Sequence, residues 1–410
     1  MRLTGEERAM LAGEMGPAVQ QAMEIVTALG NIYGAADLVP VTSVQVAGVS
    51  YKNLGEAGLE FLAEWAAQGG RVRVPTTLNP AGMDLERWQA LGFSPGFAAS
   101  QLRVIDAFGA MGIPASCTCT PYLVGNRPGP GEHLAWAESS AISFANSVLG
   151  ARTNREGGPS ALAAAICGRT ARYGLHLPEQ RRAQLVVEVR CPARSAADFG
   201  ALGVMAGRLA DNRVPYFRGL AERLPAAGPE RQDDLKSLGA ALAASGAVAL
   251  YHVEGVTPES GQPDAIAPGA QRAVIDSLDA GYAALDGDPD EAVDLVWIGC
   301  PHASLAELEQ VIGLLAGRPA RAALWVTMAR QLRAEAARLG WVDALEALGG
   351  RAVSDTCLVV APVKELGFRH VATPSGKGAY YAPSHSGLAV HYGSLEQCIE
   401  AAVARRWRTA

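Results

Sequence analysis

Seven cysteines are scattered along the 410 residues, and two of them, Cys117 and Cys119, stand in the short run SCTCTPY. Their C-x-C spacing differs from the C-x-x-C of zinc ribbons and redox sites, and a disulfide between residues two apart would be badly strained. The pair could serve core packing, redox chemistry or metal ligation. Thiolates from separate loops can hold an iron–sulfur cluster, so a metal site is one interpretation that the spacing leaves open.

The other cysteines differ in their surroundings. Cys300 is followed by Ser304 and Glu307, a capping box that predicts a helix start beside it. A helix N-terminus favours the thiolate, which suits a metal ligand, although a buried inert cysteine is the alternative. Cys357 begins an apolar run in SDTCLVV. Core packing is the favoured interpretation for Cys167, Cys191 and Cys398.

The densest polar stretch covers residues 131–169. Its first part predicts a helix over 132–148 in which polar side chains share one face, namely Ser139, Ser143, Asn146 and Ser147. Ser and Asn disfavour helix interiors, and a buried polar face needs hydrogen-bond partners. The face therefore predicts either contact with a polar ligand or helix–helix packing through small residues.

Two glycine-rich segments carry charged side chains. In ARTNREGGPS, Asn154 offers neutral hydrogen bonds, Arg155 can grip a carboxylate, and Glu156 can act as acid or base. The segment ATPSGKGAYYAP holds Ser375 and Lys377 but lacks the G-x-x-x-x-G-K-[ST] pattern of a P-loop. It is either an anion-binding loop or a mobile surface turn.

Short β-rich runs alternate with helical ones, which predicts an α/β fold with mostly parallel sheets. A capping box at Thr4 and Glu7 predicts a long first helix that ends near Leu29. Surface connections are predicted near 226–234 and 258–270, although the domain boundaries stay open. Buried strands are predicted at 183–191, 246–256, 294–301, 320–328 and 355–362.

Polar residues follow several of the predicted strands. Thr77 and Asn79 come after RVRVP, His252 comes after VALY, and Cys300 and His302 come after LVWIG. Turn chemistry can explain each of them singly. Because ligands bind beyond the carboxyl ends of parallel strands, the set together predicts one shared cleft.

The charge balance argues against some classes of partner. The net charge is −6 and the pI about 5.7, whereas nucleic acids and anionic membranes are bound by basic surfaces. No apolar run reaches the roughly 18 residues of a membrane span, and the start MRLTGEERAML lacks the apolar core of a secretion signal. We therefore predict a cytoplasmic protein whose partners are neither nucleic acid nor membrane.

Segments along nearly the whole chain resemble aconitase X, a hydro-lyase branch of the aconitase superfamily. The central ones are the most specific: CTCTPYLVGNRPGPGEHLAWAESSA (117–141) and ANSVLGARTNREGGPSALAAAICGR (145–169). The others are GVSYKNLGEAGLEFL (48–62), TTLNPAGMD (76–84), HVEGVTPE (252–259), GCPHASLAEL (299–308), DTCLVVAP (355–362) and PSGKGAYYAP (374–383). The resemblance implies three aconitase-like α/β domains around a central cleft.

The resemblance also implies an iron–sulfur cluster, [2Fe-2S] or [4Fe-4S], held by Cys119, Cys300 and Cys357. Cys117 is then a bystander, because Cys119 is the cysteine joined to Thr-Pro. Three thiolates leave an iron position open to a substrate hydroxyl or carboxylate. The implied reaction is a dehydration, in which a base removes an α-proton and the β-hydroxyl leaves. Mononuclear iron, zinc and a non-catalytic metal-binding role stay open as alternatives.

A small swivelling domain belongs to the family, either fused or as a separate chain, and it is not recognised here. We therefore expect a large subunit whose small-subunit partner closes the cleft and brings a catalytic serine. A composition rich in Ala, Arg and Gly and poor in Lys favours cis-3-hydroxy-L-proline, converted to Δ1-pyrroline-2-carboxylate, as the substrate. Mevalonate 5-phosphate is the alternative.

Within this assignment, the residues predicted to be catalytic are Glu156, Ser140 and Lys377. The predicted substrate contacts are Ser50, Asn53, Thr77, Asn79, Ser139, Asn146, Asn154, Arg155, His252 and Ser375.

Overall fold

The computed structural model describes residues 1–287 and 289–408. Its N-terminal unit contains, in chain order, α1 (Gly5–Leu11), α2 (Pro17–Ile32), β1 (Leu38–Pro40), β2 (Ser43–Val46), α3 (Tyr51–Ala67), β3 (Thr76–Leu78), α4 (Pro95–Ala110), β4 (Leu134–Trp136), α5 (Ser139–Ser147), α6 (Gly158–Cys167) and β5 (Arg169–Ala171). A parallel sheet in the order β3-β2-β4 forms its centre, and β1 pairs with β5 in antiparallel fashion.

The middle unit comprises β6 (Ala183–Val189), α7 (Ala196–Ala210), β7 (Pro215–Arg218), α8 (Pro229–Gly246), β8 (His252–Val253), β9 (Ile266–Ile275) and α9 (Asp279–Ala283). Its strands form a parallel sheet in the order β8-β7-β6-β9. The connections predicted near 226–234 and 258–270 both fall inside this unit, one leading into α8 and the other into β9.

The C-terminal unit comprises β10 (Leu295–Ile298), α10 (Leu305–Leu315), β11 (Ala323–Met328), α11 (Arg330–Arg338), α12 (Trp341–Ala347), β12 (Gly350–Ser354), β13 (His370–Thr373), α13 (Gly376–Tyr381), β14 (Ala389–Tyr392) and α14 (Leu395–Ala404). Its strands form a parallel sheet in the order β12-β11-β10-β13-β14. Short 3-10 turns at Pro121–Leu123, Gly174–His176, Pro178–Arg181, Ala221–Arg223 and Val363–Leu366, and a π turn at Ala382–Ser386, complete the assignment.

Both faces of the C-terminal sheet are buried, as expected of parallel strands. On β10, Val296 and Ile298 pack into a cluster with side chains of α10 and α14. Leu295 and Trp297 point to the other face and join the apolar core of the middle unit. The two units therefore share one core, which holds the carboxyl end of β10 in a defined place.

The predicted long first helix is two helices. The capping box at its start is present, with reciprocal hydrogen bonds between Thr4 and Glu7. The helix stops after Leu11 because Gly13 and Gly16 adopt φ values of 82° and 98°, which side chains other than glycine rarely tolerate.

Two further predictions of local structure are wrong. The region 132–148 contains strand β4 before α5, because β4 pairs with β2 in the N-terminal sheet. Residues 355–362 do not form the predicted strand, because β12 (Gly350–Ser354) ends before them, and Cys357 lies in the loop that follows it. In both places tertiary pairing decides between conformations that the local sequence permits.

Within residues 1–287 and 289–408, no helix is both long enough and apolar enough to cross a membrane.

Candidate active site

Three thiols from separate loops meet where strands end. Cys300 follows β10, Cys357 follows β12, and Cys119 lies in a segment that runs beside β3. Burial raises the pKa of Cys119 and of Cys300, and a negative charge on Cys357 raises both further. The three side chains thus lie within electrostatic reach of one another. We call Cys119, Cys300 and Cys357 the cysteine site.

Backbone hydrogen bonds tie two of these loops to the N-terminal sheet. The Thr118 N–H donates to the Leu78 carbonyl at 2.9 Å, and Gln45 Nε2 donates to the Thr118 carbonyl at 2.9 Å. The Ala81 N–H donates to the Asp355 carbonyl at 2.7 Å. The segments before Cys119 and Cys357 are therefore both anchored on the end of β3.

Cys117 has different neighbours from Cys119. Its backbone adopts a φ of 37°, and burial raises its pKa, with the charge on Asp355 adding to the effect and Arg330 opposing it. Cys119, and not Cys117, therefore shares a site with Cys300 and Cys357, while the assignment of metal ligands stays a prediction. All seven cysteines are free and buried, which agrees with core packing for Cys167, Cys191 and Cys398.

A buried ion pair lies beside the cysteine site. Lys377 Nζ contacts Glu138 Oε1, and both charges act on all three thiols. Asn79 Nδ2 donates to Glu138 Oε2 at 2.7 Å, and Ser140 Oγ donates to Glu138 Oε1 at 3.0 Å. Lys377 Nζ also lies 3.3 Å from Ser140 Oγ. We call Asn79, Glu138, Ser140 and Lys377 the polar cluster.

Glu138 is not among the residues predicted from sequence, because a helix over 132–148 gives it no special position. In the structure it is the N-cap of α5, where its carboxylate accepts a hydrogen bond from the Ser140 N–H at 3.4 Å. Strand β4 ends two residues earlier, at Trp136. Recognising HLAW as a strand would have placed Glu138 at a strand end, where ligand contacts are expected.

Lys377 reaches the polar cluster from the first turn of α13. Ser375 caps this helix by accepting a hydrogen bond from the Gly378 N–H at 2.9 Å, and its hydroxyl donates to the Cys300 carbonyl. A Cβ on Gly376 would lie 2.9 Å from Gly200 Cα, closer than real Cβ contacts. Two glycines are therefore needed for α13 to approach α7 and bring Lys377 inward.

Both members of the ion pair, Glu138 and Lys377, are charged. Burial raises the pKa of Glu138, but the Lys377 ammonium and hydrogen bonds from Lys377, Asn79 and Ser140 outweigh burial and bring the pKa to about 2. Burial lowers the pKa of Lys377, and the negative charge of Glu138 more than reverses this and raises it. At neutral pH the site thus presents a carboxylate and an ammonium to a ligand.

Two buried polar atoms near these groups, Asn79 Oδ1 and Tyr122 Oη, lack partners within the described residues. Burial raises the pKa of Tyr122, and the charge on Cys119 adds to this, so the phenol lies close to the cysteine site. Buried polar groups are normally hydrogen-bonded, so these atoms indicate room for a polar ligand, water or ion.

The three thiols of the cysteine site are donors of the kind that an iron–sulfur cluster uses. Within the part of the chain that the structure describes, no three His, Cys, Asp or Glu side chains form a group that could hold one metal ion. Iron bound by such thiols would supply positive charge that offsets the cost of burying thiolates.

Two of the other predicted substrate contacts also lie near the cysteine site. Ser50 Oγ donates to the Val360 carbonyl at 2.9 Å, next to the loop of Cys357. Ser139 is buried at the start of α5, between Glu138 and Ser140. With Ser375 and the polar cluster, these residues stay predicted contacts.

Other predicted residues make contacts that are structural. The Asn146 amide donates to the carbonyls of Thr153 and Ala249 at 2.9 Å each, and its oxygen accepts from the Thr153 N–H at 3.0 Å. Asn154 bonds the Tyr173 carbonyl and the Leu175 N–H. Both amides are therefore occupied by the backbone, and the polar helix face predicted from sequence serves mainly to bind its neighbours.

Glu156 lies inside the N-terminal unit. It accepts hydrogen bonds from Ser160 Oγ at 2.6 Å and from Thr170 Oγ1 at 2.8 Å, and burial raises its pKa. Neither bond leads to the cysteine site. The structure therefore gives the Glu156 carboxylate protein partners inside the N-terminal unit, and Glu138 is the glutamate that lies beside the thiols.

The remaining predicted contacts lie on separate surfaces. Arg155 is exposed and lines a cavity of about 330 Å³ with Asn154, and His252 lines another of about 80 Å³. Thr77 lines a cavity of about 490 Å³ on a further face, where its hydroxyl accepts from Asn126 Nδ2 at 3.1 Å. Asn53 is exposed on α3. The sequence could not show that these strand ends and loops face away from the thiols.

Known proteins resemble this chain over nearly its full length. Family models described as the first, second and third domains of aconitase X match residues 1–179, 183–285 and 293–404. A solved structure described as aconitase X of Thermococcus kodakaraensis in its holo-form has a TM-score of 0.89 and 46% identity, covering 98% of this chain and 100% of that one. The predictions of the family and of the α/β fold are confirmed.

Curated relatives give two functional names. The phosphomevalonate dehydratase large subunit of Methanothermobacter thermautotrophicus is 51% identical over 94% of this chain and 95% of its own length. The cis-3-hydroxy-L-proline dehydratase of Pseudomonas aeruginosa is 38% identical over 99% of this chain and 70% of its own length. The prediction of a dehydratase, a hydro-lyase, is confirmed. The more similar relatives have names that match the alternative substrate, mevalonate 5-phosphate, and not the first choice, cis-3-hydroxy-L-proline. The first choice rested on amino-acid composition, which carries no information about the shape of a site.

Proposed function

Because this chain belongs to the aconitase X family, we propose that it is the large subunit of a phosphomevalonate dehydratase. The observation that carries this proposal is the set of relatives with that name, four of which are 45–51% identical to this chain. The reaction removes a proton from the carbon beside the carboxylate of mevalonate 5-phosphate and releases the β-hydroxyl as water.

Cys119, Cys300 and Cys357 would hold an iron–sulfur cluster. When bound, such a cluster supplies an iron with an open position that acts as a Lewis acid on an oxygen ligand. The support is the convergence of the three thiols and their burial, which excludes water from the site. Seven free cysteines also suit the reducing cytoplasm predicted from sequence.

The polar cluster would perform the proton transfer. The Lys377 ammonium can bind the substrate carboxylate and stabilise the negative charge that develops when the α-proton leaves. Sharing this cation weakens its hold on Glu138, so the carboxylate becomes a better base while substrate is bound. Ser140 contacts both Glu138 and Lys377 and can orient the two groups. Asn79 holds the second carboxylate oxygen.

A small-subunit partner completes the proposal. Relatives with the favoured name are large subunits, whereas the hydroxyproline dehydratases of Pseudomonas aeruginosa and Hypocrea jecorina extend beyond the matched region, which covers 70% and 68% of their lengths. We infer from the name of the large-subunit relatives that a small-subunit partner closes the site over the substrate.

Lys52 is the side chain best placed for a substrate phosphate. Its Nζ donates to the carbonyls of Ala361 and His385 at 3.0 Å each, and within the described residues it forms no ion pair. Burial lowers its pKa, and the charges on Cys357 and Glu365 oppose this, so the cation lies near the cysteine site. A lysine whose hydrogen bonds go to carbonyls can accept a phosphate without breaking a salt bridge.

We therefore expect Lys52→Met to raise the KM for mevalonate 5-phosphate about tenfold to a hundredfold, the worth of one charge-assisted hydrogen bond, with a smaller change in kcat. Steady-state kinetics of the complex measures both. Lys364→Met, which removes an exposed lysine from the neighbouring loop, is the matched control. An unchanged KM in Lys52→Met would count against the phosphate contact.

The proposed function is tested by anaerobic co-expression of this chain with its small subunit. The complex should contain iron and inorganic sulfide in similar amounts and should dehydrate mevalonate 5-phosphate in preference to cis-3-hydroxy-L-proline. Preference for hydroxyproline would overturn the substrate, iron without sulfide would overturn the cluster, and full activity of the 410-residue chain alone would overturn the partner.

A further inference from the structure

One buried histidine touches all three loops of the cysteine site. His302 lies two residues after Cys300, and its backbone N–H donates to Cys119 Sγ at 3.1 Å. Its ring Nε2 lies 2.8 Å from the carbonyl of Thr356, the residue before Cys357. Its ring Nδ1 lies 3.0 Å from the hydroxyl of Thr118, the residue before Cys119.

These contacts define the tautomer of the ring. A carbonyl can only accept, so Nε2 carries the hydrogen and donates to Thr356. In the neutral ring Nδ1 is then an acceptor, and the Thr118 hydroxyl donates to it. The Thr118 hydroxyl oxygen in turn accepts from the Thr120 N–H at 3.1 Å. Every polar atom of the imidazole has a partner, and the ring spans the gap between two loops.

The loop of His302 is also tied to the middle unit. The His302 carbonyl accepts from Lys236 Nζ at 3.4 Å, and Lys236 forms buried ion pairs with Asp233 on α8 and with Glu307 on α10. Ser304 Oγ donates to Asp233 at 2.7 Å. Because these bonds connect α8 with the start of α10, they limit the movement of His302 itself.

We propose that His302 is a positioning residue that sets the separation of the three cysteine loops, so that their thiolates meet one iron–sulfur cluster. This inference rests on the cluster in the proposed function. Loops anchored only by their own backbone could spread when the cluster is lost, whereas a ring bonded to two of them holds the site ready to receive it. Residues that orient metal ligands in this way typically change metal retention when they are removed.

The structure offers a matched pair of substitutions for the test. Thr118→Val removes the hydroxyl that bonds His302, together with its hydrogen bonds to Thr120, with almost no change of shape, and His302→Phe removes the ring bonds while it keeps those to Thr120. Thr356→Val removes a hydroxyl that has no hydrogen-bond partner within residues 1–287 and 289–408, and it leaves the backbone carbonyl that bonds His302. Each position is next to one cysteine of the site, so proximity to a ligand is the same in both variants.

The experiment follows the loss of iron from the anaerobic complex to a chelator by visible absorbance, with iron and sulfide counts before the reaction. Thr118→Val and His302→Phe should lose iron about 10- to 100-fold faster than wild type, whereas Thr356→Val should match wild type. Chemical unfolding of each metal-free variant separates this effect from a general loss of stability, and Thr118→Val keeps the test valid if His302→Phe does not fold.

Equal rates for Thr118→Val and wild type would overturn the role of His302, as would equally fast loss from Thr356→Val. The same is true if metal-free Thr118→Val unfolds so readily that its instability accounts for the faster loss. A wild-type complex without iron and sulfide would overturn both this inference and the proposed cluster. A normal cluster with the wrong substrate preference would overturn only the proposed substrate.

Discussion

Replacing Cys119, Cys300 or Cys357 with serine is expected to remove the iron–sulfur cluster and to lower kcat for dehydration at least about a thousandfold, because Lewis-acid stabilisation by a metal is worth several kcal/mol. The hydroxyl of serine ionises far less readily than a thiol and is a poor ligand for iron. Iron and sulfide per chain, measured with the visible spectrum after anaerobic purification, gives the direct readout, and activity of the complex gives the second.

Cys117→Ser is the matched control for these variants. It also replaces a cysteine sulfur by oxygen, two residues before Cys119. Cys117, however, lies among Asp355, Arg330 and Ala81 and not among the other thiols. We expect Cys117→Ser to keep the cluster and most of the activity. Loss of iron in Cys117→Ser together with its retention in Cys119→Ser would reverse the assignment of the ligand.

Glu138→Gln is expected to lower kcat about 10²- to 10⁴-fold while leaving the iron and sulfide content unchanged, because it removes the proposed base but no cluster ligand. The amide keeps the shape of the side chain and can still accept from Asn79. Steady-state kinetics and metal analysis of the same preparation measure both quantities. Glu156→Gln is the control, since the Glu156 carboxylate accepts hydrogen bonds from Ser160 and Thr170 inside the N-terminal unit. Comparable losses of kcat in the two variants would contradict the role of Glu138.

The ion pair between Glu138 and Lys377 also leads to a prediction about the free energy of unfolding. Lys377→Met leaves the Glu138 carboxylate buried without its cation, which should lower the free energy of unfolding by about 3–5 kcal/mol. The double variant Glu138→Gln with Lys377→Met should regain most of that stability without regaining activity. Urea unfolding of metal-free wild type, the two single variants and the double variant measures the four free energies of this double-mutant cycle. A stable Lys377→Met would show that the carboxylate finds another partner.

The same pair gives a dependence on pH. The folded pKa of Glu138 is about 2, below the value of about 4.3 for an unfolded glutamate. Its contribution to stability is therefore complete above about pH 4.3 and is lost as the pH falls toward 2. Glu138→Gln should flatten the decline of stability in this range. If the free energy of unfolding falls equally with pH in the variant and in wild type, groups other than Glu138 take up the protons that destabilise the fold.

Some of the local structure follows from the sequence alone. The capping boxes at Thr4 and Ser304 form as predicted, because the hydrogen bonds join residues three positions apart. The parallel α/β architecture follows from apolar runs that are long enough for a buried strand and that alternate with helical segments. The choice of Cys119 over Cys117 came from resemblance to a family, since the C-x-C spacing itself does not distinguish them.

Other features depend on contacts between elements far apart in the chain. Glu138 and Lys377 are 239 residues apart, and their pairing requires the end of β4 and the start of α13 to lie at the same place. The polar residues Asn146 and Glu156 could equally have faced a ligand, and only the segments packed against them show that their partners are protein groups. The sequence determined which residues could carry out the chemistry. The tertiary structure decided which of them meet, because the packing of strands and helices sets the distance between side chains that the chain keeps apart.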